Sequence, residues 1–192
     1  MIDFKKTIEN LKEVGFNPLP NAVHISVPDA KNVLMRGITY FAGEEARWLP
    51  EYQVIADWLT DNNGRGLLCT GNCGRGKTMI CGKIIPLLLN HYCRKIVTCF
   101  DAQQMNAKID EIKRLHIIYI DDVGTENVSV KFGEKRIAFA EIVDEAEKKG
   151  KMLIISTNLS TDEIQAKYDV RVLDRLRAIT KLVVFDGESM RK

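Results

Sequence analysis

The chain lacks any run of about 20 apolar residues, the length needed to cross a bilayer, so no membrane contact is expected. It also has almost no net charge. Its 28 Lys and Arg stand against 26 Asp and Glu, leaving +2 and no strong overall field for nucleic acid or an anionic surface. No pair among its five cysteines has CxxC spacing, and only His24, His91 and His116 could complete a metal set, so no structural zinc is expected. An odd number of cysteines in mostly apolar surroundings fits free thiols in a reducing cytosol. There is no internal repeat and no low-complexity tract. The opening MIDFKKTIENLKEVG is amphipathic and mixed in charge, without the apolar centre of a secretory signal. These absences exclude collagenous, disordered and membrane-spanning classes and leave a globular protein, expected to be cytoplasmic.

What is present is an ordinary globular composition, 45% hydrophobic and 28% charged over 192 residues, enough for one domain with a real core. Ile2, Phe4, Ile8, Leu11 and Val14 have roughly helical spacing, closed by Gly15. Residues 16–32 hold three of the five prolines and predict extended or loop structure. A boundary is expected near residue 45, with 1–45 an amino-terminal extension of helix plus loop or strand that could hold a partner, and 46–192 the core. A short helix is expected from about Glu51. Beyond it, apolar runs (LLCT, KIVTCF, HIIYID, KMLIIST, KLVVF) alternate with helical stretches at 77–91, 102–114, 132–149 and 161–177. That alternation predicts an α/β fold: a five-stranded parallel sheet sandwiched by helices. Residues 1–64 carry 6 basic and 9 acidic side chains, and residues 65–192 carry 22 and 17, so the core is the more basic part.

Gly71-Asn72-Cys73-Gly74-Arg75-Gly76-Lys77-Thr78 matches G-x-x-x-x-G-K-[ST] in full, between a strand ending at Thr70 and a helix opening at Lys77. Glycines let backbone N–H groups curl around a polyphosphate, and the positive end of the following helix faces its charge. Lys77 would reach the β- and γ-phosphates, and Thr78 would offer a hydroxyl to Mg²⁺. Some forty residues on, Ile117–Ile120 runs into Asp121-Asp122, at the strand end that lies beside such a loop in this sheet class. Asp121 would hold the Mg²⁺ through water and Asp122 would orient a hydrolytic water. A further strand ends in Ser156-Thr157-Asn158, and Asn158 could hydrogen-bond the γ-phosphate or its attacking water. In VRVLDRLR, Arg171 and Arg175 are four apart on one helix face. By spacing alone that segment fits a solvated surface helix better, with Val172 and Leu176 in the core. Trp48, Tyr52 and Trp58 lie where adenine would pack, though each fits a core position better.

Together these motifs resemble the AAA+ ATPases, specifically the DnaC/DnaI helicase-loader and IstB-like group. The resemblance covers about residues 65–190 and rests on GNCGRGKT, IIYIDDVGTE, IISTN, VRVLDRLR and KLVVFDGES. It implies a P-loop NTPase core binding ATP and Mg²⁺, with Asp121 and Asp122 the Walker B pair and Asn158 sensor 1. It also implies that Arg171 is the arginine finger, with Arg175 the second candidate. Family members act as ATP-dependent oligomers on single-stranded DNA and a replicative helicase, or beside a transposase. No helical lid of the usual kind is expected after the last strand, a lack the loader group shares, and the first 45 residues lack the zinc pattern of one branch. The expectation is therefore a weak ATPase, stimulated by DNA or its partner, loading a helicase from within a homo-oligomer. Its rivals are an IstB-like transposition ATPase, an ATP-binding interaction protein that hardly hydrolyses, and a small-molecule kinase. Glu126 matches a glutamate of the family, but the sequence gives it no role.

Overall fold

A computed structural model describes residues 2–15, 21–126, 129–131 and 134–190. Five parallel strands form the centre: β1 (Gly66–Gly71), β2 (Thr98–Asp101), β3 (Ile117–Val123), β6 (Met152–Thr157) and β7 (Thr180–Phe185). Their spatial order is β2-β3-β6-β1-β7. A separate antiparallel pair, β4 (Ser129–Lys131) and β5 (Glu134–Arg136), follows β3. The chain crosses from β1 to the far edge at β2, works back through β3 and β6, then passes β1 to reach β7. The carboxyl ends of β1 and β6 therefore flank the point where the winding changes direction, the ligand position in open α/β sheets.

The three inner strands, β3, β6 and β1, are mostly apolar because both faces are covered, whereas the edge strands β2 and β7 are partly exposed, and alternate residues feed different cores. Leu67, Cys69, Ile117, Tyr119, Met152, Ile154, Val183 and Phe185 face one core. Leu68, Ile118, Ile120, Leu153 and Ile155 face the other. Covering the first face are α2 (Ala30–Ala42), α3 (Pro50–Thr60) and a helical rod. The rod consists of α4 (Lys77–Met79), a π turn (Ile80–Ile84) and α5 (Ile85–Cys93). Pro86 has no N–H and its ring would clash with a carbonyl one turn back, so a widened turn just before it is physically reasonable. The second face is covered by α6 (Met105–Ile112), α7 (Ala138–Lys149), α8 (Thr161–Tyr168) and α9 (Val170–Ile179).

The structure departs from the sequence expectations in four places. First, α2 lies before residue 45, yet Val33, Leu34 and Ile38 are buried in the same core as the sheet. Its central Gly37 permits close approach to the rod: a Cβ there would lie 2.7 Å from Ile84. Among the described α-helices only α1 (Phe4–Glu13) contributes no buried residue. Second, the helix expected over 132–149 begins at Ala138, residues 132 and 133 lie outside the described set, and 134–136 are strand. Third, the 102–114 stretch is a 3₁₀ turn followed by α6. Fourth, the single helix expected over 161–177 is two helices, broken at Asp169 with φ 86°. Asp169 accepts the Arg171 and Val172 backbone N–H groups and so caps α9. A capping box between Ser160 and Glu163 starts α8.

Candidate functional site

Residues 71–78 turn from β1 into the rod and border a cavity of about 310 Å³. Lining it are Cys73, Gly74, Gly76, Lys77, Thr78, Asp122 and Asn158, together with Ala42, Glu45, Met79 and Met190. Lys77 is 6% exposed, and burial holds its ammonium below the ordinary lysine value of 10.5. Its Nζ donates to Gly71 O at 2.6 Å, Asn72 O at 2.7 Å and Asn158 Oδ1 at 3.0 Å. These are acceptors that a phosphate oxygen can replace. Asn158 Nδ2 also donates to Asp122 Oδ1 at 3.3 Å. Asn158 therefore bridges the lysine and the second acid.

Asp121 and Asp122 reach the site through an irregularity in β3. Consecutive residues of a regular strand point to opposite faces. Pairing with β6 runs regularly to Ile120↔Ile155 and resumes at Val123↔Thr157, so β3 holds one residue more than its partner. Asp122 takes up the slack with φ 54°, a left-handed conformation that Asp tolerates better than most residues. Its N–H donates to Ser156 Oγ at 3.2 Å, and its carbonyl accepts from Thr125 Oγ1 at 2.8 Å. Asp121 Oδ1 accepts from Thr78 Oγ1 at 3.1 Å, Tyr119 OH at 2.6 Å and the Ser156 hydroxyl. Burial, the leading cause, keeps the Tyr119 phenol well above its usual range, so it remains a donor. Thr78 and Asp121 together offer the hard oxygen ligands that Mg²⁺ prefers.

Not every residue singled out in the sequence converges here. The Arg75 guanidinium turns away to Glu51 on α3, with Nη2 2.6 Å and Nε 3.1 Å from Glu51 Oε1. Tyr52 OH donates to Arg75 O at 3.1 Å, and burial with the Glu51 charge pushes that phenol up to about 12. Tyr52 and Trp58 are 1% and 3% exposed, so they are core residues. Trp48 does not line the cavity and lies edge-on to Tyr52, with Lys31 over its ring. Arg171 is exposed at the start of α9, outside the cavity, and its side chain makes no ion pair among the described residues. Arg175 is held within its own chain, 2.8 Å from Asp144 and 3.0 Å from Glu147 on α7.

Sequence reasoning missed Glu51, Tyr119 and Met190, and could not place Glu126. Glu126 accepts from Gly124 N at 2.8 Å and from the Tyr168 hydroxyl, and lies 3.7 Å from Lys167 Nζ. It thus ties the loop after β3 to the end of α8, immediately before the Asp169 break. A glutamate four residues beyond an acid pair was a signal, but its side-chain partners, Lys167 and Tyr168, lie some forty residues away.

A glycine-rich loop at the end of β1, an acid pair on β3 and a polar residue on the strand between them, set on a five-stranded parallel sheet, are the arrangement of an α/β P-loop NTPase fold. Residues 50–189 match the family model described as Novel STAND NTPase 3, and the chain belongs to that family. In fold it is similar to the DnaC helicase loader, at 18% identity over 84% of this chain and 93% of that one, with a TM-score of 0.55. It is also similar to DnaI (19%, 85% of each chain, TM-score 0.52). Domain III of the Thermotoga maritima replication initiation protein DnaA is comparable (18%, 84% of this chain and 69% of that one, 0.52). The resemblance drawn from the motifs thus holds at the level of fold. The search of curated proteins returned no match. Among the described residues no helix is long and apolar enough to cross a membrane.

Proposed function

We propose that this NTPase binds ATP with Mg²⁺ and hydrolyses it as a switch in a homo-oligomer that loads or remodels a replicative helicase on single-stranded DNA. The observation that carries hydrolysis is Asn158, bonded to both Lys77 and Asp122. One amide can thereby set the phosphate-binding cation and the candidate water-orienting carboxylate in register. Residues 71–78 would cradle the phosphates, with Lys77 moving from its carbonyl partners to the β- and γ-oxygens. The Thr78 hydroxyl and Asp121 would hold Mg²⁺, which supplies charge neutralisation at the phosphates. Asp122 would orient the attacking water.

The oligomer is supported by the two arginines. Arg175 is already paired inside its own chain, whereas Arg171 is exposed and outside the cavity of its own subunit. An arginine so placed suits a neighbour's γ-phosphate, where such residues contribute about 10³–10⁵ in rate. The helicase and DNA as partners rest on the fold likeness to the DnaC helicase loader and DnaI and on the motifs they share.

Turnover of ATP with and without single-stranded DNA, for the parent, Lys77→Ala and Arg171→Ala, tests this reading. Lys77→Ala should lose ATP binding. Arg171→Ala should bind ATP normally and turn over at least tenfold more slowly. Normal turnover by Arg171→Ala would refute the shared site, and no turnover under any condition would favour a binding-only protein. Capture with Asp122→Asn, which should hold ATP without hydrolysing it, should co-purify a replicative helicase. A transposase instead would move the function to the IstB-like branch.

A further inference from the structure

Five residues after β7, Asp186 to Met190, turn back over the phosphate loop. The Asn72 side-chain amide donates to Gly187 O at 2.9 Å, and Met190 N donates to Gly74 O at 3.0 Å. The contact is close. Gly74 has φ +76°, and a Cβ on it would lie 2.1 Å from Ser189 Oγ, so the segment rests directly on the loop where only glycine admits it. This places Met190 on the cavity wall with Met79, Ala42 and Glu45. A second cavity of about 310 Å³, lined by Glu44, Glu45, Ala46, Arg47 and Met190, adjoins the first through the two residues they share, Glu45 and Met190.

The two ends of this double cavity differ in chemistry. One end offers the phosphate loop, Lys77 and Thr78. The other offers the thioethers of Met79 and Met190 and the methyl groups of Ala42 and Ala46, bordered by the charged residues Glu44, Glu45 and Arg47. A triphosphate seated on Lys77 leaves its nucleoside to lie toward the second end. The three aromatic residues that the sequence offered for adenine, Trp48, Tyr52 and Trp58, line neither of these cavities. Tyr52 and Trp58 are buried, with their polar atoms bonded to Arg75 O and Arg65 O. Thioethers, by contrast, are polarisable and adapt to the flat face of an aromatic ring.

We infer that Met190, held over the phosphate loop by residues 186–190, forms with Met79, Ala42 and Glu45 the subsite for the base and sugar of the nucleotide. The assignment rests on reading residues 71–78 as the triphosphate site. It gives the segment after β7 a direct part in nucleotide selection, with one hydrogen bond from the Asn72 side chain and one between backbones setting the height of the Met190 side chain above the loop.

The experiment compares ATP with inorganic tripolyphosphate, which has the phosphates but no nucleoside, on the full chain. The affinity for each ligand is measured directly, by calorimetry. Met190→Ala should weaken ATP roughly two- to tenfold, the range expected for losing one sulfur–ring contact, and leave tripolyphosphate unchanged. Met190→Leu, which keeps the volume, should stay close to the parent. Equal weakening of both ligands, or of neither, would overturn the subsite. Lys77→Ala separates the two readings, because it should weaken both ligands. If it weakens neither, the phosphate site itself is wrong, whatever Met190 does.

Discussion

The Glu51–Arg75 pair decides whether Arg75 serves the nucleotide or the loop that holds it. The side chains are 6% and 11% exposed, and both guanidinium contacts fall on one carboxylate oxygen at 2.6 and 3.1 Å. Replacing Glu51 with Leu leaves a nearly buried cation without its counter-charge, a change that costs about 3–5 kcal/mol for fully buried pairs. Arg75 keeps an edge of solvent access, so the lower end, about 3 kcal/mol, applies. In a domain of this size each 1 kcal/mol moves Tm by roughly 2–4 °C, so Glu51→Leu should melt about 6–12 °C below the parent. Pairing it with Arg75→Met removes both charges and should recover most of the loss, since apolar replacement of a buried pair is often neutral. Thermal melts of the parent, both single variants and the double variant form a cycle, with an expected coupling of about 2–3 kcal/mol. Additivity within about 0.5 kcal/mol would refute the pair. ATP affinity of the same four proteins supplies the second half. If Arg75 only braces the loop, the double variant binds ATP within about threefold of the parent, since the loop keeps its shape. If the guanidinium instead grips phosphate, losing that charged hydrogen bond costs about 1.5–3 kcal/mol, roughly 10- to 150-fold, and the double variant stays weak however well it melts.

Two further outcomes follow from the site. Burial lowers the Lys77 pKa in the free protein, and a bound triphosphate would raise it, so ATP affinity should be full at neutral pH and fall as pH rises through that lowered value, with the loss beginning below 10.5. Binding titrations from pH 7 to 10 check this against Lys77→Arg, which does not titrate there; matching profiles would remove Lys77 as the cause. Asp122 has φ 54°, so Asp122→Gly should melt at or above the parent while losing turnover. Asp122→Val should lose about 1–3 kcal/mol, and equal melting of the two variants would show that backbone strain does not govern this position.

What was legible in the sequence was local. The phosphate loop is eight contiguous residues with a strand before and a helix after, so its motif and setting appear together. The sheet was legible because strands buried on both faces are continuously apolar. The residues that brace the site were hidden because their partners are remote: Arg75 meets Glu51 24 positions back, and Glu126 meets Tyr168 42 positions on. The α2 helix was obscured by Gly37, which weakens helix propensity but admits the Ile84 side chain. The break at Asp169 did leave a trace. Tyr168-Asp169-Val170 places a good capping residue before an apolar-periodic run, but the helical spacing continuing through Leu173 and Leu176 outweighed it.

The acid pair shows most clearly why spacing alone could not supply the geometry. In a regular strand Asp121 and Asp122 would face opposite cores, and one charge would be buried among apolar side chains at a cost of several kcal/mol. The extra residue in β3 removes that conflict by turning Asp122 out toward Asn158 while Asp121 stays directed at Thr78. The irregularity is a property of how β3 pairs with β6, and Ser156 on β6 fastens it from the other side, accepting from Asp122 N and donating to Asp121. Ser156 is fully buried, so its hydroxyl has no competing water. The chemistry assigned to two adjacent aspartates thus depends on a serine thirty-four positions away. That dependence makes the polar end of β6, the Ser156–Asn158 run, a single device: its first residue shapes the acid pair and its last bridges Asp122 to Lys77.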